Sequence, residues 1–107
     1  MKDQNMAKAY WVARVDITDP DAYGKYMAAN KEPFAKFGAR FLVRGGDFEK
    51  KEGSSREKQV VLEFKDYATA LACYESPEYQ AAIEFRTNAS EGDLVIVEGY
   101  DGSQPGD

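Results

Sequence analysis

Apolar and polar residues alternate along four stretches of the chain and recur at helical spacing in two others. From Ala9 to Ile17 the small and apolar residues take the odd positions. Trp11, Ala13, Val15 and Ile17 therefore share one face of a predicted strand, and Tyr10, Arg14 and Asp16 share the other. Arg40 to Arg44 reads as a second strand, with Phe41 and Val43 inward, Arg40 and Arg44 on the polar side, and Gly45-Gly46 as its end. Gln59 to Phe64 is the third, with Val60, Leu62 and Phe64 apolar and Glu63 facing the other way. Asp93 to Tyr100 is the fourth, its phase assigned with Val95 and Val97 inward and Leu94, Ile96, Glu98 and Tyr100 outward.

Helix signals fill the intervals. In Thr18-Asp19-Pro20 either Thr18 or Asp19 caps a helix, and Pro20 suits the first helical position because an N–H there has no partner to lose. Tyr23, Met27, Asn30, Phe34 and Phe37 form its inner stripe up to Gly38, with Pro33 the point where it kinks or splits. Asp66 caps a second helix that runs through Tyr74, and Ser76-Pro77-Glu78 restarts it, which predicts a break near Glu75. Asp47 to Lys58 is a polar connection turning at Gly53-Ser54-Ser55, within which Phe48 is placed to extend a ribbon. Residues 1–7 and 102–107 are expected to be flexible termini.

The order strand, helix, strand, strand, helix, strand is the split βαβ or ferredoxin-like arrangement of an α+β domain: a four-stranded antiparallel sheet with both helices on one face, here spanning residues 8–101. The face turned from the helices mixes Val12, Leu42 and Val61 with Arg14, Arg44 and Glu63, too apolar for plain solvent exposure. That mixture suits a subunit interface or a ligand cavity, and two such sheets face to face make a dimeric barrel. The expected partner is a second copy of the chain.

A length of 107 residues with 43% hydrophobic content fits one domain with a modest core. The net charge of −5 and the lack of an extended Lys/Arg cluster argue against nucleic acid, whose binding rests on phosphate neutralisation. No apolar stretch has the length of a membrane span and the amino terminus lacks a signal-peptide core, so a cytoplasmic location is expected. The chain has no histidine, which removes Ser-His-Asp and Cys-His nucleophiles, histidine-ligated zinc and histidine-ligated haem. Its one cysteine, Cys73, sits in an apolar helical setting without a cationic neighbour and reads as a core residue. Neither a metal nor a cofactor is expected.

Two candidate sites follow. On the charged sheet face, Arg14 and Arg44 are placed to clamp a carboxylate, with Glu63 or Glu98 as acid or base and Glu63 the catalytic candidate; the alternative is that these charges pair across strands and fix a dimer register. On the helix side, Asn30 interrupts an apolar stripe and Arg86 shares one with Tyr79, Ala82 and Ile83. Either Asn30 bonds a backbone group and Arg86 pairs with a carboxylate, or both point into a pocket beside Tyr26 and Trp11.

The segments Ala9-Tyr10-Trp11-Val12-Ala13-Arg14-Val15, Asp19-Pro20-Asp21-Ala22-Tyr23, Gly38-Ala39-Arg40-Phe41-Leu42-Val43-Arg44-Gly45-Gly46, Ser76-Pro77-Glu78-Tyr79-Gln80 and Glu98-Gly99-Tyr100 resemble, in order, the motifs of the bacterial domain-of-unknown-function 1330 family. The likeness runs from about Lys8 to Asp101. It implies the dimeric α+β barrel superfamily, whose relatives include muconolactone-isomerase-like enzymes, cofactor-free monooxygenases and haem-using enzymes. It implies no activity for the family itself. Cofactor-free oxygenases of that superfamily use an asparagine, tryptophan and tyrosine set, to which Asn30 and Trp11 correspond in residue type. Two functions of different class are therefore expected. One is binding or conversion of a small anionic or aromatic metabolite, of isomerase or cofactor-independent oxygenase type; the other is a non-catalytic dimeric binding or scaffolding module. An enclosed cavity beside Asn30, Arg44, Glu63 or Arg86 would favour the first.

Overall fold

Strand β1 (Ala9–Ile17) lies in the middle of a four-stranded antiparallel sheet of order β2-β3-β1-β4, flanked by β3 (Lys58–Phe64) and β4 (Ser90–Glu98), with β2 (Arg40–Arg44) at the edge beyond β3. The computed structural model describes residues 7–107; residues 1–6 of the expected flexible terminus lie outside the described residues. Two broken helices, α1 (Pro20–Ala29) with α2 (Lys31–Lys36) and α3 (Tyr67–Glu75) with α4 (Pro77–Arg86), cover one face of the sheet. The architecture is ferredoxin-like. Among the described residues, no helix is long and apolar enough to cross a membrane.

The core is built on aromatic rings. Trp11 is 2% exposed, with Phe34, Phe64 and Tyr79 at ring-centroid distances of 5.4, 5.3 and 4.9 Å. Its buried indole N–H needs an acceptor, and Nε1 donates to the Ala70 carbonyl at 3.0 Å. Asp19 provides the first cap, its Oδ1 accepting from the Ala22 N–H at 3.2 Å. The first helix parts at Asn30, ahead of Pro33. In a continuous helix Pro33 could not donate to the Ala29 carbonyl and its ring would crowd that oxygen, so the split one turn ahead of the proline is the one expected, with Pro33 itself tolerated in the first turn of α2. The second helix breaks where expected: the Ser76 hydroxyl donates to the Cys73 carbonyl at 2.7 Å and accepts from the Tyr79 N–H at 3.2 Å, ending α3 and starting α4 with one side chain.

Two strands depart from the expected facing. In β4, Leu94 pairs with Ala13 and Ile96 with Trp11, so these two residues lie on the helix side. Val95 and Val97 face outward, 57% and 44% exposed. The run Leu94-Val95-Ile96-Val97 has no polar residue to mark a face, and the pairing with β1 decides its phase. In β2, Phe41 pairs with Leu62 and Val43 with Val61, which leaves Leu42 as a bulge. The bulge sends Val43 to the open face and turns Arg44, opposite Val60, to the helix side. Residues 47–57 form no strand, so Phe48 extends no ribbon. Their far end is held at the open face by Arg56, which donates to Asp16 at 2.8 Å and to Asp93 at 2.9 Å.

Candidate functional site

A cavity of about 90 Å³ opens between the helices and the sheet. Its floor is Ala13, Val15, Gly92 and Leu94 with Val60 and Leu62; its roof is Tyr23, Tyr26 and Asn30 from the first helix and Tyr79 and Arg86 from α4. Gly92 helps keep the floor low: a Cβ there would stand 2.7 Å from the Arg14 carbonyl oxygen and 3.3 Å from Val15 Cγ2. By the measure in which one water needs roughly 10–15 Å³, the space holds a ligand of roughly six to nine non-hydrogen atoms.

Three cations border this space, Arg44, Lys58 and Arg86, and none has a carboxylate partner among the described residues. Each lies against an aromatic ring, and Arg86 also engages the Tyr79 and Tyr26 hydroxyls. The Arg44 guanidinium is 4.2 Å from the Phe41 centroid, Lys58 Nζ is 5.2 Å from that of Tyr23, and the Arg86 guanidinium is 5.2 Å from that of Tyr26. Lys58 and Arg86 are half-buried, and cation–π contact offsets part of the cost of removing such charges from water, but far less than an anion would; Arg44, on the edge strand, stays exposed at the cavity's rim. Burial, and then the Arg44 charge, pull the Lys58 amine below the ordinary lysine range. Asp93 lies on the open-face register, opposite Arg14, and its carboxylate accepts from Arg56 there at 2.9 Å, so no carboxylate of the cavity-lining residues faces the cations.

The neutral polar groups are proton donors. The Tyr26 and Tyr79 hydroxyls share a hydrogen bond of 2.6 Å. Burial, and then the neighbouring Tyr26, push Tyr23 up to about 12 and drive Tyr79 upward as well. Both phenols are thus un-ionised at neutral pH. Asn30 is 5% exposed and lines the cavity, and its side chain makes no hydrogen bond among the described residues. A site of this kind can hold an organic anion and stabilise negative charge developing on it, because fixed charges act strongly where water is excluded.

Residues 8–100 match the sequence model of a family described as Domain of unknown function (DUF1330). The chain belongs to the DUF1330 family. No curated protein matches it. Among solved structures, methylated RPA0582, a protein of unknown function from Rhodopseudomonas palustris, is 16% identical, with 92% of this chain and 85% of that one covered at a TM-score of 0.73. SnoaB of Streptomyces nogalater, described as a cofactor-independent oxygenase, is 13% identical over 92% of this chain and 98% of its own, with a TM-score of 0.60. A dimeric ferredoxin-like protein of unknown function from Thermobifida fusca is 15% identical over 87% and 92% of the two chains, at 0.59. At these identities the likeness is one of fold.

In this DUF1330 chain, five of the expected site residues gather at the cavity: Tyr26, Asn30, Arg44, Tyr79 and Arg86. Arg14 and Glu63 stay on the open face, Arg14 opposite Gln59 and Asp93, and Glu63 bonded by Lys8 at 3.5 Å. The bulge at Leu42 puts Arg44 and Arg14 on opposite sides of the sheet, so the expected clamp does not form within the chain. Glu98 pairs with Ala9 at the far end of β4, on the helix-side register and away from the cavity. Trp11 lines the cavity with its N–H committed to Ala70. Cys73 is buried, and burial, then Glu78, push its thiol up to about 12, which fits the core reading. Gly45 donates its N–H to the Gln59 carbonyl at 2.8 Å with φ of 70°, the behaviour of a turn rather than an anion nest. Lys58, Tyr23 and Gly92 were not among the expected site residues. Lys58 shares the period-two phase of Val60, Leu62 and Phe64, a signal present in the sequence.

Proposed function

We propose that this DUF1330 protein binds a small organic anion in its helix-side cavity and works as a homodimer joined through the open sheet face. One observation carries the ligand reading: Arg44, Lys58 and Arg86 converge on one cavity, each on an aromatic ring and none paired with a carboxylate among the described residues, in a chain of net charge −5. Acidic side chains are abundant, so their absence around these cations points to a counter-ion supplied by the ligand. The rings of Tyr23, Tyr26 and Phe41 give that ligand an apolar or planar surface to lie on. Conversion of the ligand, as in an isomerase or a cofactor-independent oxygenase, would draw on the same cations to stabilise an enolate or carbanion. The alternative of a non-catalytic binding module is favoured by the lack of an acidic side chain facing the cavity among the described residues, which leaves no carboxylate base there.

The dimer reading is supported by the uncovered band of Val12, Val43, Val61, Val95 and Val97 across the open face, with Arg40, Glu63 and Arg14 around it. It is supported too by the neighbouring solved structures described as dimeric ferredoxin-like proteins.

A thermal-shift and calorimetric screen of small carboxylates tests the ligand reading. Arg44→Met and Arg86→Met are expected to weaken the carboxylate bound by the wild type by roughly 10- to 100-fold, the size of a charge-assisted hydrogen bond. Arg14→Met, on the open face, should leave it unchanged. Binding that survives both cavity substitutions and disappears with Arg14→Met would refute the assignment.

A further inference from the structure

The cations account for one end of a ligand; Asn30 is left over. Its backbone is spoken for, the N–H donating to the Tyr26 carbonyl at 2.9 Å and the carbonyl accepting from Phe34 at 3.1 Å, so the residue is held in place at the joint of α1 and α2. The side chain at such a joint commonly caps the following helix, and here it does not. Ninety-five per cent buried, it presents a carboxamide with two donor hydrogens and an acceptor oxygen to the cavity without a partner among the described residues. Buried polar groups are as a rule hydrogen-bonded, so an unpaired amide in a cavity wall is free to bond a molecule that enters the cavity.

We propose that the ligand is a bifunctional acid, a small carboxylate that also carries a hydroxyl or carbonyl group, and that Asn30 reads this second group. The inference rests on the anion-binding reading above. The division of labour follows from charge. A carboxylate is drawn to Arg44, Lys58 and Arg86, and a neutral amide competes poorly with them for it. The amide instead matches a neutral oxygen, donating to a carbonyl or accepting from a hydroxyl. The Tyr26 and Tyr79 hydroxyls, already bonded to one another, extend the same polar patch without competing for the carboxylate charge. An acid without the second group would leave Asn30 unpaired once it displaced water from the cavity, and such a site rejects that analogue strongly. The cavity volume of about 90 Å³ confines the class to short hydroxy and oxo acids of roughly six to nine non-hydrogen atoms.

The test is calorimetric titration of the full chain with lactate, 3-hydroxybutyrate and 4-oxopentanoate, each beside its plain counterpart propionate, butyrate or pentanoate. At least one substituted acid should bind the wild type about tenfold or more tighter than its counterpart. Asn30→Leu should collapse that ratio while keeping or strengthening the plain acid, and Arg86→Met should weaken both members of the pair alike. An unchanged ratio in Asn30→Leu, or equal binding of all pairs by the wild type, overturns the role of Asn30 and leaves the anion site standing. Absence of binding by any acid, or binding indifferent to Arg86→Met, overturns the anion site and this inference with it. Should Asn30→Leu fail to fold, the near-isosteric Asn30→Asp decides: a carboxylate facing the ligand should abolish binding of both acids at neutral pH, and wild-type binding in that variant would contradict the proposal.

Discussion

Tyr23 and Tyr79 are ionisable groups kept neutral, and that gives the folded state a measurable alkaline limit. Tyr23 is raised from 10.0 to about 12 by burial and then by Tyr26, and Tyr79 moves the same way. A raised folded pKa means that the folded protein holds the proton more tightly than the unfolded chain. The resulting stability is intact below pH 10 and is lost as pH rises toward the folded value. Of the seven tyrosines, these two should gain phenolate absorbance only as the protein unfolds, and Tyr23→Phe should lessen the alkaline loss of stability. Seven tyrosines titrating together near pH 10 in the folded protein would contradict this. Lys58 works in the opposite sense. Its amine is pulled below 10.5 by burial and then by Arg44, and a bound anion would restore its proton. Ligand binding should therefore take up protons in the pH range just below 10.5, seen as a buffer-dependent heat, and Lys58→Met should remove that uptake. The residue types of this site were legible in the sequence, because Asn30 and Arg86 break apolar stripes. The missing partner of Asn30 was not, since hydrogen bonding is a property of the folded surroundings.

The elements position the site through two irregularities. The Leu42 bulge turns Arg44 into the cavity, and the Ser76 joint aims Tyr79 at Tyr26. Ser76→Ala removes the cap of α4 and a bond to the end of α3, and should cost about 1–2 kcal/mol in chemical denaturation. A loss below a few tenths of a kcal/mol would show that the joint is held by packing alone. Capping chemistry is local, which is why Asp66 and Ser76, and the first cap to within Thr18 or Asp19, are readable from the sequence. Facing is not local wherever a strand is apolar on both sides: Leu94 to Val97 admits two phases, and only the pairing with β1 chooses between them. A bulge likewise breaks the period of two without any glycine to announce it, which put Val43 and Arg44 on the wrong sides of the expected sheet.

For the whole molecule, one sheet divides two jobs between its faces: the helix side encloses a cationic cavity, and the open side presents valines. The pairing of β4 with β1 sharpens this division, because Val95 and Val97 join Val12, Val43 and Val61 on the open face. Sedimentation should find a dimer at micromolar concentration, and the double substitution Val95→Lys with Val97→Lys should convert it to a monomer through unpaired charge in the interface. A dimer unaffected by that pair would place the contact elsewhere. The order of elements made the fold legible from the sequence, whereas the location of the site depended on which way one arginine turns. The most direct measurement is therefore a crystal structure of the protein with the small carboxylate that raises its melting temperature most. The carboxylate is expected between the helices and the sheet, within hydrogen-bond distance of Arg44 or Arg86. A ligand bound on the open face beside Arg14 and Glu63, with only water in the cavity, would contradict it.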